Sequence, residues 1–197
     1  MRLLRTNRSR RGWTIIELVL ATVLIVTVMA KAVFVMKSAL GLANDATASM
    51  HFEDQTRRVM DRIALAVMGS SRGQLMPGVE AVHNKNLRYN FSLGLEDGVV
   101  VWSAPEEIRL EGDGVEWREN PDAIDERKVV WTNLVRPLLE GELENGIDDN
   151  GNGLIDEDGL SFVIEGDNVT IRLTLERPEI GGSLVPETVV AVVNCRN

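Results

Sequence analysis

Apolar residues follow one another almost without a break from Trp13 to Met36; Glu17, Lys31 and a few threonines are the exceptions. At a rise of about 1.5 Å per residue, a helix of this length crosses a hydrocarbon core about 30 Å thick. The inner stretch from Leu18 to Ala30 is shorter and, taken alone, suits a signal-peptide core or a buried helix equally well. Lys31, near the far end, can extend its ammonium to the interface.

Beyond Met36 the apolar pattern becomes one-sided. Leu40, Ala43, Met50, Val59, Ile63 and Val67 recur at spacings near three, four and seven, with Asp45, Glu53, Asp54, Arg57, Arg58, Asp61 and Arg62 between them. Such a stripe predicts an amphipathic helix. No proline interrupts positions 13 to 69, Gly41 is a point where the helix can kink, and Gly69-Ser70-Ser71 predicts its end. One helix from Trp13 to Met68 is therefore expected. Residues 13–36 would lie in a membrane or a filament core, and residues 37–69 would pack on a soluble domain.

After Pro77-Gly78 the period changes to two. Leu87, Tyr89, Phe91, Leu93 and Leu95 alternate with polar or small residues and predict one half-buried strand. Val99 to Trp102 follows Asp97-Gly98, and Gly112-Asp113-Gly114 joins Ile108 and Leu110 to Val115 and Trp117 as a hairpin. Val129 to Trp131 predicts a further strand. Leu160 to Ile164 passes through Gly166-Asp167-Asn168 into Val169 to Leu175, and Val189 to Val193 closes the set. The expected class is α+β: a long N-terminal helix, transmembrane and then amphipathic, packed on an antiparallel β-sheet domain spanning residues 70–197.

Charge sharpens this division. The 197-residue chain carries a net charge of -9, yet its first twelve residues hold Arg2, Arg5, Arg8, Arg10 and Arg11 and no acid, so the remainder carries -14 (-9 - 5). A basic start before an apolar run predicts a cytoplasmic N-terminus. An acidic remainder argues against nucleic acid as a partner. Cys195 is the only cysteine, so no intrachain disulfide can form, and the thiol is expected to serve as a small apolar strand residue.

Glu17 is the anomaly in the first segment, because a carboxylate in hydrocarbon is costly without a partner. Three readings compete. A cleaved secretory signal needs an Ala-x-Ala-like site, which Leu24 to Ala30 supplies poorly. A signal anchor fits the length and leaves Glu17 unexplained. Cleavage between Gly12 and Trp13 keeps the helix and creates an amine four residues from Glu17.

The string Arg10-Arg11-Gly12-Trp13-Thr14-Ile15-Ile16-Glu17-Leu18-Val19-Leu20 resembles the start of type IV prepilins and type II secretion pseudopilins. The resemblance implies that residues 1–12 are a leader ending at Gly12 and removed by prepilin peptidase. It implies that Trp13, where Phe is usual, becomes an N-methylated first residue, and that Glu17, at mature position five, pairs with the Trp13 amine of a neighbouring subunit. It further implies assembly with other pilin or pseudopilin subunits on an inner-membrane platform. The helix would be a single pass through the inner (cytoplasmic) membrane, with the C-terminal domain outside the cytoplasm and then in a pilus or pseudopilus. The strand-rich domain looks more like the minor pseudopilin J or minor pilin W types than the small major subunit. Glu17 sets the chain apart from the pseudopilin K type, which usually lacks that acid.

A second motif spans residues 145–159. Asp148, Asn150, Asn152 and Asp156 fall at positions 1, 3, 5 and 9 of a calcium loop, Gly153 at the sharp turn of position 6, and Leu154 at position 7, where a carbonyl ligates. Position 12 is Gly159, so Glu157 or Asp158 would have to close the shell. The loop resembles the D-x-N-x-N-G-x-x-D loops of dockerin-like and thrombospondin-type repeats. Hard oxygen donors without His or Cys suit Ca²⁺ and not zinc. A solvated acidic turn without an ion is the plain alternative.

The only histidines, His51 and His83, have no sequence context suggesting a nucleophile or metal set. The expectation is a structural filament subunit and not an enzyme. The alternative is a membrane-tethered, calcium-dependent adhesin or binding module.

Overall fold

The computed structural model describes residues 14–179 and 182–195. The chain divides into two compact units between Ala48 and Ser49. Helix α1 (Ile15–Met68) is continuous through Gly41 and belongs to both units.

In the first unit α1 buries nothing. Every Val, Leu, Ile, Met and Phe side chain from Ile15 to Met36 is at least 53% exposed. In the second unit the helix presents one face to the core: Phe52, Thr56, Val59, Met60, Ile63 and Val67 are buried. Thr56 fits this stripe because its hydroxyl donates to the Phe52 carbonyl at 2.9 Å. The stripe expected from the sequence is corrected at its start. Leu40, Ala43 and Met50 are exposed, Met50 at 70%. Met50 precedes Phe52 by two residues, which places it about 200° around the helix axis from the buried face. After Met68 the chain leaves the helix at Gly69, whose N–H donates to the Leu65 carbonyl at 3.0 Å.

Among the described residues ten strands follow: β1 (His83–Asn84), β2 (Asn86–Tyr89), β3 (Ser92–Glu96), β4 (Val99–Trp102), β5 (Glu106–Glu111), β6 (Gly114–Glu119), β7 (Arg127–Thr132), β8 (Leu160–Glu165), β9 (Asn168–Pro178) and β10 (Leu184–Asn194). They form two four-stranded sheets, ordered β1-β8-β9-β10 and β2-β5-β6-β7, and a two-stranded sheet β3-β4. All the ladders are antiparallel. The β3–β4 hairpin turns at Asp97 (φ 51°) and Gly98 (φ 79°), the paired left-handed conformation that a two-residue hairpin loop requires.

The α+β expectation holds, with one strand divided. Residues 87 to 95 were expected as one strand, but they split into β2 and β3, which enter different sheets. The break is fixed at Phe91, whose N–H donates to the Ser103 hydroxyl at 3.1 Å and whose carbonyl accepts the Ser103 N–H at 2.9 Å. Leu87 and Tyr89 are buried, whereas Leu93 and Leu95 are exposed. One core joins the buried helix face to both four-stranded sheets: Ile63 and Val67 belong to the same cluster as Leu87 and Ile108 of one sheet and Phe162 and Leu173 of the other.

Candidate functional site

Two places carry the candidate residues, and each belongs to one unit. In the first, Thr14 and Glu17 form a reciprocal pair at the start of α1. The Glu17 carboxylate accepts the Thr14 N–H at 2.8 Å and the Thr14 hydroxyl at 3.0 Å, while the Glu17 N–H reaches the Thr14 oxygen at 3.4 Å. This is a capping box, which satisfies backbone donors that the first helical turn cannot. A negative side chain there also meets the positive end of the helix dipole. Thr14 was missed as a site residue, although Thr14-x-x-Glu17 ahead of an apolar run is a readable signature. Gly12 and Trp13 lie outside the described residues.

The segment that follows is suited to a solvent without hydrogen-bonding capacity. Its threonines return their hydroxyls to the backbone one turn earlier, Thr22 to the Leu18 carbonyl and Thr27 to the Val23 carbonyl at 2.7 Å. Among the described residues, α1 is the one helix long and apolar enough to cross a membrane.

The second place is the acidic loop. It leaves the body of the domain after a bridge between Leu138 and Asp158 and returns into β8. Asp148 anchors its turn: its carboxylate accepts the N–H groups of Gly151 at 2.7 Å, Asn152 at 3.1 Å and Gly153 at 2.7 Å. The Asn150 and Asn152 side-chain oxygens accept the N–H groups of Asn152 and Leu154 at 3.0 and 2.9 Å. Gly151 and Gly153 have φ of 75° and 89°, so the winding uses residues for which that region is free. Asp156 is turned toward the loop's entry, where its carboxylate accepts the N–H groups of Asn145 and Gly146 at 3.0–3.1 Å.

Glu157 and Asp158 have other neighbours. Glu157 is fully buried (0% exposed) and accepts hydrogen bonds from Ser161 at 3.1 Å, from Arg172 at 3.1 Å and from Asn152. Asp158 lies 3.8 Å from the Lys85 ammonium. Glu142 is a further loop residue that sequence reasoning missed. It is buried, and its two carboxylate oxygens accept the N–H groups of Asn150 and Asp156, each at 3.2 Å. Nothing in its sequence neighbourhood signals this, because the brace depends on how the loop folds back. Among the described residues no group of three or more His, Cys, Asp and Glu side chains is arranged to hold a metal ion.

Elsewhere the ionisable side chains serve the sheets. Burial opposes ionisation of Glu116, but hydrogen bonds from Lys128 and Arg118 outweigh it and hold the carboxyl below its ordinary range. Burial, reinforced by the hydrogen bond to Glu106 at 2.6 Å, pushes the Tyr89 phenol upward.

Comparison with family models, with characterised proteins and with solved structures returns no match.

Proposed function

We propose that this chain is a subunit of a membrane-rooted filament, a minor pilin or pseudopilin, cut after Gly12 and assembled through α1. The observation that carries this reading is the combination within residues 14–36 of a helix whose apolar side chains are all uncovered and a carboxylate in its first turn. The apolar surface calls for hydrocarbon or neighbouring helices around it. Glu17 calls for a cation once it is there. Cleavage after Gly12 supplies one, because the new amine on Trp13 adjoins Thr14, whose N–H the carboxylate already accepts. The amine of a neighbouring subunit would take the same place during assembly.

Co-expression with a prepilin peptidase, followed by intact-mass measurement, tests the processing. The expected product lacks residues 1–12; a mass that retains them opposes the reading. Glu17→Ala tests assembly. The variant should remain in the membrane and fail to enter filaments, whereas a merely tethered receptor would be indifferent to the change.

The loop of this subunit takes Ca²⁺ through the oxygens of Asp148, Asn150 and Asn152, the Leu154 carbonyl and Asp156. The chemistry of this donor set fits a hard cation, and Glu157 or Asp158 would close the shell by turning from Arg172 or Lys85 respectively. An ion bound only by the folded state stabilises it according to its occupancy. Thermal melting with Ca²⁺ and with a chelator should therefore differ. Identical midpoints at saturating Ca²⁺ would sink the assignment.

A further inference from the structure

Among the described residues the last strand, β10, has one edge without a ladder partner, and that edge is complementary to itself. Among the described residues β10 is the terminal strand of the β1-β8-β9-β10 sheet, and its eleven residues pair with β9 in one uninterrupted register from Leu184 opposite Pro178 to Asn194 opposite Asn168. The backbone parity is set by Cys195, whose N–H donates to the Asp167 carbonyl at 2.8 Å on the β9 side. In an antiparallel strand the N–H and C=O of alternate residues point to opposite sides. Residues 187, 189, 191, 193 and 195 therefore face β9, and Pro186, Thr188, Val190, Val192 and Asn194 face outward. Proline belongs on an edge where its nitrogen faces away from the ladder, and Pro186 is at such a position.

Edge strands of this kind are ordinarily guarded by charge, proline or a bulge. Here the guards stop at Pro186 and Glu187. From Thr188 to Asn194 the strand is uncharged, mostly β-branched and free of bulges. On its outer side Val190 and Val192 are 55% and 66% exposed.

We propose that β10 is an assembly edge at which two copies of this chain pair antiparallel about a two-fold axis through Ala191. This axis matches the outward-facing N–H groups, since Val190 would pair with the partner's Val192 and Thr188 with the partner's Asn194. Each of these carries both a donor and an acceptor, so the new ladder avoids Pro186. The two exposed valines cover each other across the axis, as β-branched cross-strand pairs do. Glu187 falls opposite the partner's Cys195, so no like charges are opposed. The β1-β8-β9-β10 sheets of the two copies become one sheet of eight. This pairing does not depend on prepilin processing.

The test uses the full chain in detergent micelles, in a Cys195→Ser background. At a non-hydrogen-bonded antiparallel pair the Cα atoms are about 4.5 Å apart, within the span of a disulfide. Ala191→Cys should form a covalent dimer under mild oxidation at least tenfold faster than Val189→Cys, whose two copies would be four residues apart, about 13 Å. In sedimentation, the chain with its native residue at 192 should have the mass of a dimer, and Val192→Lys that of a monomer with an unchanged far-ultraviolet spectrum. Equal cross-linking of the two cysteine variants overturns the proposal, as does a dimer that survives Val192→Lys or a chain that is monomeric at every concentration.

Discussion

A methyl group on residue 159 would lie 1.8 Å from the Arg136 carbonyl oxygen and 2.9 Å from its carbonyl carbon. Both atoms are backbone, so no change of rotamer relieves the clash. Gly159 is held at this approach from two sides: its N–H donates to the Pro137 carbonyl at 3.0 Å, and its carbonyl accepts the Thr174 N–H at 2.7 Å. The absence of the usual loop-closing Glu at this position thus has a packing cause, because any side chain would push the 135–139 segment off the start of β8. Gly159→Ala should cost about 3 kcal/mol, at the upper end of overpacking penalties, and Gly159→Glu should cost at least as much without strengthening Ca²⁺ binding. Urea denaturation measures the first and calcium titration the second. A loss below about 1 kcal/mol for Gly159→Ala would mean that the segment yields. The sharp turn of the loop at Gly153 was legible, because a glycine among Asx residues acts locally. The roles of Gly159, Glu142 and the buried Glu157–Arg172 pair were not, since each depends on residues distant in sequence.

At the scale of elements, helix α1 shows what periodicity conveys and what it omits. Its end at Met68 was readable from Gly69-Ser70-Ser71, and Val59, Ile63 and Val67 were correctly placed on the inner face. The beginning of that face was not readable. Leu40, Ala43 and Met50 sit at helical spacing, yet all three are exposed, and the buried run starts at Phe52. The strands carry the same lesson. Alternation continues from Leu87 to Leu95, and it reports which side chains share a face without saying which sheet receives them. The ladder of β2 with β5 and of β3 with β4 decides that. A pair of alanine substitutions separates the two parts of the helix. Ile63→Ala should destabilise the domain by about 2–5 kcal/mol through the cavity it leaves. Met50→Ala should fall within about 0.5 kcal/mol, as expected for an exposed side chain outside the core. Chemical denaturation of both variants checks this, and comparable losses would show that the buried face extends to Met50.

Across the whole molecule, apolar side chains sort by unit and by the solvent each requires. Among the described residues, all the buried hydrophobic ones are numbered 52 or higher, and they lie in the second unit. The described residues of the first unit contribute exposed apolar surface, and its helix is satisfied along its own backbone. Folding free energy should then reside in residues 49–197, and the preceding segment should govern location and assembly. A chain beginning at Ser49 retains the whole buried helix face from Phe52 to Val67. It should stay in solution without detergent. Its melting midpoint should lie within roughly 2–4 °C of the full chain's when both are measured in the same detergent, corresponding to less than about 1 kcal/mol for a domain of this size. A larger fall would show that the residues before Ser49 stabilise the domain. Such a result would make anchor and core one cooperative unit, so that drawing α1 into a membrane or filament would alter the stability of the β-rich domain. With no such coupling, the domain would fold to the same extent before and after the proposed assembly, and subunits of the proposed filament could enter or leave it without passing through an unfolded state.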